Sequence, residues 1–213
     1  MSLTVYCGSM FSGKSQRMLG EITRFSDVSE SRHALIINHS LDNRNEVKVV
    51  SSHSSLYAGL SNKVDVVSTD KLSTIDVSNY TIIGIDEVNF FSDLDDLLQT
   101  IRLWIQQGKH IICAGLDSDF RGKKFGYISE LVHLADNFEK LHAICSICLK
   151  EIQARKEPVT PHNATPAPFT AKITAPKFNV SDDGSVIDVG GADKYIAVCR
   201  RHHPYYNKKE NPE

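Results

Sequence analysis

The segment Gly8–Ser15, which reads G-S-M-F-S-G-K-S, limits the possible folds of this 213-residue chain more than any other feature of its sequence. A G-x-x-x-x-G-K-S pattern binds phosphate where a buried strand enters it and a helix follows it. Leu3, Val5 and Tyr6 predict that strand, and apolar residues at helical spacing from Met18 onward predict that helix. The chain is therefore expected to be an α/β protein that binds the phosphates of a nucleoside triphosphate.

Every position of this loop is a candidate contact for ATP and its magnesium ion. The two glycines allow a tight turn that points successive backbone N–H groups at one anion, and the helix that follows adds the positive end of its dipole. The Lys14 ammonium can reach the β- and γ-phosphates, and the Ser15 hydroxyl can ligate Mg²⁺. The residues predicted to bind ATP and Mg²⁺ here are Gly8, Ser9, Met10, Phe11, Ser12, Gly13, Lys14 and Ser15.

Two carboxylates follow a second buried strand, which the apolar run at residues 81–85 predicts. In phosphate-loop proteins an acid at this place supports Mg²⁺, a role that we assign to Asp86. Because side chains alternate along a strand, Glu87 is predicted to point to the other side, where it can accept a proton from an attacking hydroxyl. Glu87 is therefore the predicted catalytic base. The predicted ATP and magnesium site is completed by Asp86, Glu87, Val88 and Asn89.

Strands alternate with helices through the first two thirds of the chain. The predicted strands, besides the one before the phosphate loop, are residues 33–38, 64–67, 80–85 and 110–115. Helices are predicted at 94–105, capped by Ser92 or Asp93, and at 127–138. This alternation predicts a RecA-like parallel sheet flanked by helices, which we assign to residues 1–142 as a nucleotide-binding domain.

Four further residues have the spacing of metal ligands. Cys145 and Cys148 form a C-x-x-C pair, and Cys199 and His202 form a C-x-x-H pair. Two such pairs make a tetrahedral Cys₃His zinc site, which is structural because four protein ligands leave no open coordination position. His203 is the alternative fourth ligand, although the two-residue gap favours His202.

The metal pairs delimit a second domain at residues 143–203, followed by a flexible tail at 204–213. Between the pairs, residues 157–183 contain most of the prolines of the chain and are predicted to form an extended loop. The remaining cysteines, Cys7 and Cys113, lie in apolar surroundings and are predicted to be core residues.

The charge balance excludes some classes of function. The chain has 24 basic and 26 acidic side chains, which gives a net charge of −2. This balance argues against nucleic acid or membranes as main partners, and no apolar run is long enough to cross a bilayer. The phosphate loop begins too near Met1 to leave room for a signal peptide, so a cytoplasmic location is expected. The alternative interpretation is a RecA-like zinc-ribbon ATPase that acts on nucleic acid.

Several separated motifs together resemble those of the thymidine kinase family, of the type found in animals, poxviruses and many bacteria. These are the phosphate loop, the I-D-E-V-N-F-F segment at Ile85–Phe91, the segment Gly115–Gly126 and the closing G-G-A-D-K-Y at Gly190–Tyr195. The resemblance runs from Thr4 to about His202. This chain departs from the pattern at Asn89, Ser118, Gly122 and Lys124 and in its proline-rich insertion.

The resemblance implies that ATP phosphorylates the 5′-hydroxyl of thymidine or deoxyuridine, with Glu87 as the catalytic base. It also implies a homotetramer that is inhibited by dTTP, and it places Asp42 and Arg44 near the active site. A "lasso" loop, held by the zinc site, would clamp the thymine ring. The residues that the resemblance assigns to nucleoside binding are Met10, Phe90, Leu116, Phe120, Phe125, Val186, Ile187, Asp188, Val189, Gly190 and Tyr195.

Overall fold

The computed structural model describes residues 1–28, 34–41, 64–173 and 191–204. The chain divides into two compact units. The first consists of Met1–Cys7, Lys14–Asp117 and Phe125–Lys140, and the second consists of Gly8–Gly13, Ser118–Lys124 and Leu141–Glu213. In the described part of the chain, no helix is both long enough and apolar enough to span a membrane.

A six-stranded sheet organises the first unit. Its elements are β1 (Ser2–Gly8), α1 (Lys14–Val28), β2 (Ala34–His39), β3 (Val64–Thr69), β4 (Ile82–Ile85), α2 (Leu94–Gln106), β5 (His110–Gly115) and β6 (Asn137–Leu141). The strand order is β3-β2-β4-β5-β1-β6. The pairings from β3 to β1 are all parallel. The predicted parallel sheet flanked by helices is therefore confirmed.

The pleat of the sheet sends alternate side chains to α1 and α2. On β4, Ile83 and Ile85 belong to the same buried cluster as Leu97 and Ile101 of α2. Gly84, between them, faces the other helix, since a Cβ added there would lie 2.5 Å from Cδ1 of Ile22 in α1. Each fully buried Leu or Ile stabilises the fold by roughly 1.5–3 kcal/mol relative to an exposed position. The near-continuous apolar strands predicted from sequence follow from burial on both faces.

Helix α2 begins and ends where local chemistry favours it. The Asp93 side chain accepts a hydrogen bond of 3.0 Å from the Asp96 amide, so Asp93 rather than Ser92 is the N-cap. The helix ends at Gln106, and Gly108 then adopts a left-handed φ of +84°.

The helix predicted at residues 127–138 is wrong. This segment forms only a short 3-10 helix, Ile128–Leu131, and joins the sheet as β6 from Asn137. Ile128 and Leu131 are buried, which accounts for the helical spacing of the apolar residues. Backbone and side-chain hydrogen bonds between Asp136 and Leu3, of 2.9 and 2.8 Å, then fix the chain beside β1. Pairing with a sheet edge outweighs helix propensity at this place.

Where it is described, the second unit contains two small antiparallel pairs of strands and one α-helix. Its elements are β7 (Ala143–Ile144), α3 (Ser146–Ala154), β8 (Pro166–Ala167), β9 (Phe169–Lys172) and β10 (Tyr195–Val198). β7 pairs with β8, and β9 pairs with β10. The extended loop predicted at residues 157–183 is therefore wrong for β8 and β9, which are strands within it. Residues 174–183 lie outside the described part of the chain.

Candidate active site and metal centre

The N-terminus of α1 carries the first group of predicted site residues. Ser15 Oγ donates a hydrogen bond of 2.8 Å to Oδ1 of Asp86, which follows β4. The Asp86 amide donates to the Ile37 carbonyl at 2.9 Å, so the backbone of this acid is fixed on β2. A hydroxyl and a carboxylate oxygen thus lie side by side, and such hard oxygen ligands fit Mg²⁺ or its bound waters.

Lys14 is buried in the first unit, with 8% of its surface exposed. Burial lowers the pKa of its ammonium, whereas the nearby charges of Glu87, Asp86 and Asp117 act to raise it. Because the pKa is lowered overall, these carboxylates compensate only in part for the lost hydration. Phosphate oxygens bound here would supply further negative charge to this cation.

Glu87 reaches its position through a turn rather than through the pleat of β4. The strand ends at Ile85, and Glu87 has a left-handed φ of +50° at the start of a 3-10 helix, Val88–Phe90. The expected alternation of Asp86 and Glu87 on one strand is therefore wrong. A non-glycine residue in this conformation is uncommon and often marks a functional site. Oε2 of Glu87 is buried, and the backbone amide of Glu87 donates a hydrogen bond of 2.9 Å to Oδ1 of Asp86.

The 3-10 helix after Glu87 gathers other predicted residues of the first unit. Asn89 is buried, and its Oδ1 accepts a hydrogen bond of 2.8 Å from the Leu116 amide. The rings of Phe90 and Phe125 meet edge to face, with centroids 5.7 Å apart. Gly126 has a φ of +59°, and an added Cβ would lie 2.1 Å from the Asn89 carbonyl oxygen. Only glycine allows the backbone to approach Asn89 this closely.

The first six residues of the phosphate loop belong to the second unit and are held there by two strands. Ser9 Oγ donates a hydrogen bond of 2.7 Å to the Ala167 carbonyl of β8. The Met10 amide donates a hydrogen bond of 3.0 Å to Oγ1 of Thr170 in β9. A Cβ added to Gly8 would lie 2.1 Å from the Leu141 carbonyl oxygen. Sequence reasoning missed Ala167 and Thr170, because both lie where an extended loop was predicted. The pattern F-T-A-K at 169–172, with its aromatic and β-branched residues, is the signal that favoured a strand.

Two predicted aromatic residues lie near each other in the second unit. The ring centroids of Phe120 and Tyr195 are 6.4 Å apart, and the Lys172 ammonium lies 5.5 Å from the centre of the Phe120 ring. Buried Asp119 braces the loop that carries Phe120, because its carboxylate accepts from the Arg121 and Lys123 amides at 2.8 and 2.9 Å. The predicted contacts Val186, Ile187, Asp188, Val189 and Gly190, together with Asp42 and Arg44, lie outside the described residues.

The second unit brings all four predicted metal ligands together. Their ligand atoms, one from each of Cys145, Cys148, Cys199 and His202, all lie within 4.8 Å of one another. Nδ1 of His202 is 3.5, 3.5 and 3.6 Å from the three sulfurs in that order. Ligands about 2.0–2.3 Å from a shared tetrahedral zinc ion would lie about 3.5–3.8 Å apart. The cluster thus has the composition and spacing that structural zinc requires.

Within the cluster, the pKa of Cys145 is lowered, whereas burial raises that of Cys199. Burial raises the pKa of Cys145, but hydrogen bonds from the backbone of Cys148 and Cys199 and from His202 outweigh it and lower the pKa to about 6. A thiolate is the form that binds metal. Burial instead raises the pKa of Cys7, to about 11, and that of Cys113.

His203 lies beside the cluster but is not part of it. It is fully buried, and its ring packs edge-on against Phe169, with centroids 5.3 Å apart. The geometry therefore selects His202 over the alternative fourth ligand.

Comparison with known proteins gives one decisive match. The model of the family described as thymidine kinase matches residues 1–203. Among solved structures, the chain is similar to domain III of the replication initiation protein DnaA from Thermotoga maritima, at 15% identity and a TM-score of 0.38. That match covers 75% of this chain and 65% of the other, so this chain spans slightly less than two thirds of the structure that it matches. A likeness at this level carries no argument about function.

Proposed function

This chain belongs to the thymidine kinase family, and we propose that it transfers the γ-phosphate of ATP to the 5′-hydroxyl of thymidine or deoxyuridine. Family membership makes it a phosphotransferase in the broad sense. The structural observation that carries the ATP half of this proposal is the hydrogen bond of 2.8 Å from Ser15 to Asp86, in the same unit as buried Lys14, whereas the nucleoside acceptor is proposed from family membership. A hydroxyl, a carboxylate and an ammonium in this relation match the chemistry of a magnesium nucleotide.

In the proposed reaction, the phosphate loop positions the triphosphate. Backbone N–H groups between Gly8 and Gly13 would bind phosphate oxygens, and Lys14 would neutralise charge on the β- and γ-phosphates. Ser15 and Asp86 would hold the magnesium ion that accompanies ATP, and this ion supplies further charge neutralisation when it is bound. The bound phosphates would thus stabilise the charged form of Lys14, which burial disfavours.

Glu87 is the proposed catalytic base. A carboxylate accepts the proton of the attacking 5′-hydroxyl late in phosphoryl transfer, so its main task is to orient that hydroxyl. Its left-handed backbone fixes the residue at the beginning of the 3-10 helix, directly after Asp86. The base and the proposed metal-binding acid are therefore adjacent in sequence and are set by one turn.

Nucleoside binding is proposed for six of the described residues, all of them aromatic or apolar. In the first unit these are Phe90, Leu116 and Phe125, and in the second they are Met10, Phe120 and Tyr195. A flat, uncharged pyrimidine is recognised by such walls together with a few backbone polar groups. The five consecutive residues 186–190 complete this proposal as the backbone clamp on the base.

The remaining parts of the proposal come from family membership and the metal cluster. We propose structural zinc at Cys145, Cys148, Cys199 and His202, a cytoplasmic homotetramer, and feedback inhibition by dTTP. The proposed organisation has a nucleotide-binding domain at residues 1–142, a zinc domain at 143–203 and a flexible tail from 204 onward.

A nucleoside panel tests the proposed reaction. Release of ADP from ATP is measured with thymidine, deoxyuridine, cytidine or adenosine as the acceptor, and we expect turnover with the first two. Equal turnover with all four acceptors would contradict the assignment. Hydrolysis that DNA or RNA stimulates, and that thymidine leaves unchanged, would favour the nucleic-acid ATPase instead.

Glu87→Gln tests the proposed base. Loss of a general base typically slows turnover 10²- to 10⁴-fold, while ATP binding measured by calorimetry should persist. Glu157→Gln is the control, because that exposed carboxylate pairs only with Arg155 among its described side-chain contacts. If Glu87→Gln keeps the turnover number of the control, Glu87 is not the base.

A further inference from the structure

Glu151 connects the two metal-ligand pairs from outside the cluster. It lies on α3 three residues after Cys148, so both side chains project from the same side of the helix. Its Oε1 is 3.4 Å from Nε2 of His202, and its Oε2 accepts a hydrogen bond of 2.8 Å from Arg201. One carboxylate on the helix of the first pair thus lies beside the His202 imidazole of the second pair and is hydrogen-bonded to Arg201, the residue before His202.

The geometry of His202 requires a particular tautomer. Nδ1 faces the three sulfurs at 3.5–3.6 Å, so this nitrogen has to carry the lone pair that binds a metal. The proton of the neutral ring then resides on Nε2, which faces the Glu151 carboxylate. In metal sites, a carboxylate that accepts this proton fixes the ring orientation and makes the ligating nitrogen more basic.

We propose that Glu151 is a positioning residue of the Cys₃His metal centre, which holds His202 in the tautomer that carries its proton on Nε2 and its metal-binding lone pair on Nδ1. The inference rests on the zinc site of the proposed function and not on phosphoryl transfer.

Arg201 adds a second contribution from the same network. Its Nη2 lies 3.9 Å from Sγ of Cys148 while it also bonds Glu151. Three thiolates, a neutral histidine and Zn²⁺ carry a net charge of −1, so a guanidinium beside one sulfur offsets that excess. Glu151 orients the cation at the same time as the imidazole, and a change of Glu151 disturbs both.

The simpler interpretation is that Glu151 forms an ordinary surface ion pair. Its side chain is 45% exposed and that of Arg201 is 67% exposed, and such pairs contribute little to folding. Glu157 provides the matched control, since it is 47% exposed and pairs with Arg155 at 2.9 Å. Glu157 touches none of the four ligands among the described contacts. The two glutamates therefore differ in the contact with His202 that the inference requires.

Zinc release tests the inference on the full-length protein. Wild type, Glu151→Ala, Glu151→Gln and Glu157→Gln are loaded with zinc, and transfer of the metal to an excess of a chromogenic chelator is followed. Loss of such an outer hydrogen bond typically weakens metal binding 10- to 100-fold, and we expect Glu151→Ala to show this loss. Glu151→Gln should retain part of the wild-type affinity, because its amide oxygen still accepts from Nε2. Glu157→Gln should match the wild type.

A spectroscopic measurement separates ligand orientation from general loosening. With cobalt in place of zinc, the visible ligand-field bands report the geometry of the four ligands, and we expect them to shift in Glu151→Ala but not in Glu157→Gln. Equal release rates and equal cobalt spectra for these two variants would overturn the inference. A wild-type protein that cannot be loaded with zinc would overturn the metal centre and the inference together. Absence of thymidine phosphorylation alone would contradict only the proposed reaction.

Discussion

Among the described residues of the first unit, Lys14 and Lys109 are nearly fully buried, and their surroundings predict opposite effects of removing them. Lys109 donates to the Val77, Ser78 and Tyr80 carbonyls at 2.8, 3.3 and 2.6 Å, so its charge is well solvated by the backbone. Burial lowers the pKa of Lys14, which means that the folded state disfavours its charged form. The charge of Lys14 is therefore expected to contribute to ligand binding rather than to the stability of the fold.

We therefore expect Lys14→Met to stabilise the protein in the absence of nucleotide, while ATP binding is lost. The gain should be about 1 kcal/mol, or roughly 2–4 °C in melting temperature for a chain of this length. Lys109→Met should lower the melting temperature, because three carbonyls lose their donor. Thermal unfolding with and without ATP measures both effects. A Lys14→Met variant that melts below the wild type would show that the nearby carboxylates stabilise this lysine in the fold.

The pH dependence of this difference has a definite sign. The pKa of Lys14 is lower in the folded state than its ordinary value of 10.5, so the unfolded chain binds the proton more tightly. Wild-type stability relative to Lys14→Met should therefore rise as pH increases towards 10.5. Melting temperatures of both proteins at pH 7.5 and pH 9.5 check this. The excess of the Lys14→Met melting temperature over that of the wild type should be smaller at pH 9.5, and a larger excess there would contradict the expectation.

The five cysteines should divide into two reactive classes. All five are buried, but Cys7 and Cys113 lie in the core of the sheet, where burial raises the pKa of both thiols, whereas the other three lie in the small core around the proposed zinc site. After zinc is removed by a chelator at pH 8, a maleimide should label Cys145, Cys148 and Cys199 and leave the other two unmodified. Intact mass spectrometry counts the adducts. More than three adducts without denaturant would show that the sheet opens under these conditions.

At the scale of elements, two glycines with left-handed backbone differ in the space around them. Gly108 ends α2 with a φ of +84°, and an added Cβ would meet nothing within 4 Å. Gly126 has a φ of +59°, but its added Cβ would lie 2.1 Å from the backbone oxygen of Asn89. The first position demands only the backbone conformation, whereas the second also demands the absence of a side chain.

Gly108→Ala should therefore cost roughly 1–2 kcal/mol of unfolding free energy, the penalty for an alanine in this conformation. Gly126→Ala should cost at least about 3 kcal/mol, because backbone overlap adds to that penalty. Urea denaturation measures both. Gly126→Ala should also raise the KM for thymidine, since it displaces the turn that carries Phe90. Equal costs for the two variants would mean that Asn89 moves aside freely.

Sequence patterns predicted the elements that are fixed by local or periodic signals. The buried strands, the capped helix α2, the phosphate loop and the two metal pairs all carry such signals within a few residues. The helix predicted at 127–138 failed because pairing of Asp136 with Leu3 joins positions that are far apart in sequence. The left-handed turn at Glu87 could not be predicted either, because the alternation of side chains applies only inside a strand and β4 ends at Ile85.

The candidate site shows the same division between local and distant information. Motif spacing indicated Lys14, Ser15 and the four metal ligands, because the chemistry itself dictates those distances in sequence. It could not indicate that Ala167 and Thr170 hold Ser9 and Met10, since 158 and 160 residues separate the partners. Glu151 was missed for a similar reason, because its link to His202 depends on how the metal pairs are brought together.

At the scale of the whole molecule, the described residues of the second unit form a much smaller apolar core than those of the sheet. This buried cluster contains nine residues, of which four are alanines and three are the cysteines of the proposed zinc site. Small side chains bury little apolar area, so a core of this kind gains a large share of its stability from a bound metal. The residues Gly8–Gly13 belong to this unit and are hydrogen-bonded to β8 and β9.

Zinc removal should therefore loosen the phosphate loop together with β9 and β10, whose residues pack in the core around the proposed metal ligands. In hydrogen exchange, we expect chelation to speed exchange of the amides in β9 and β10 and of the Met10 amide, which donates to Thr170. The central strands β4 and β5 should keep their protection, because their pairing and core lie within the first unit. Readdition of zinc should restore the slow exchange. If chelation leaves the Met10 amide protected while β9 and β10 open, the loop is ordered without the metal, and metal loss should then leave ATP affinity unchanged.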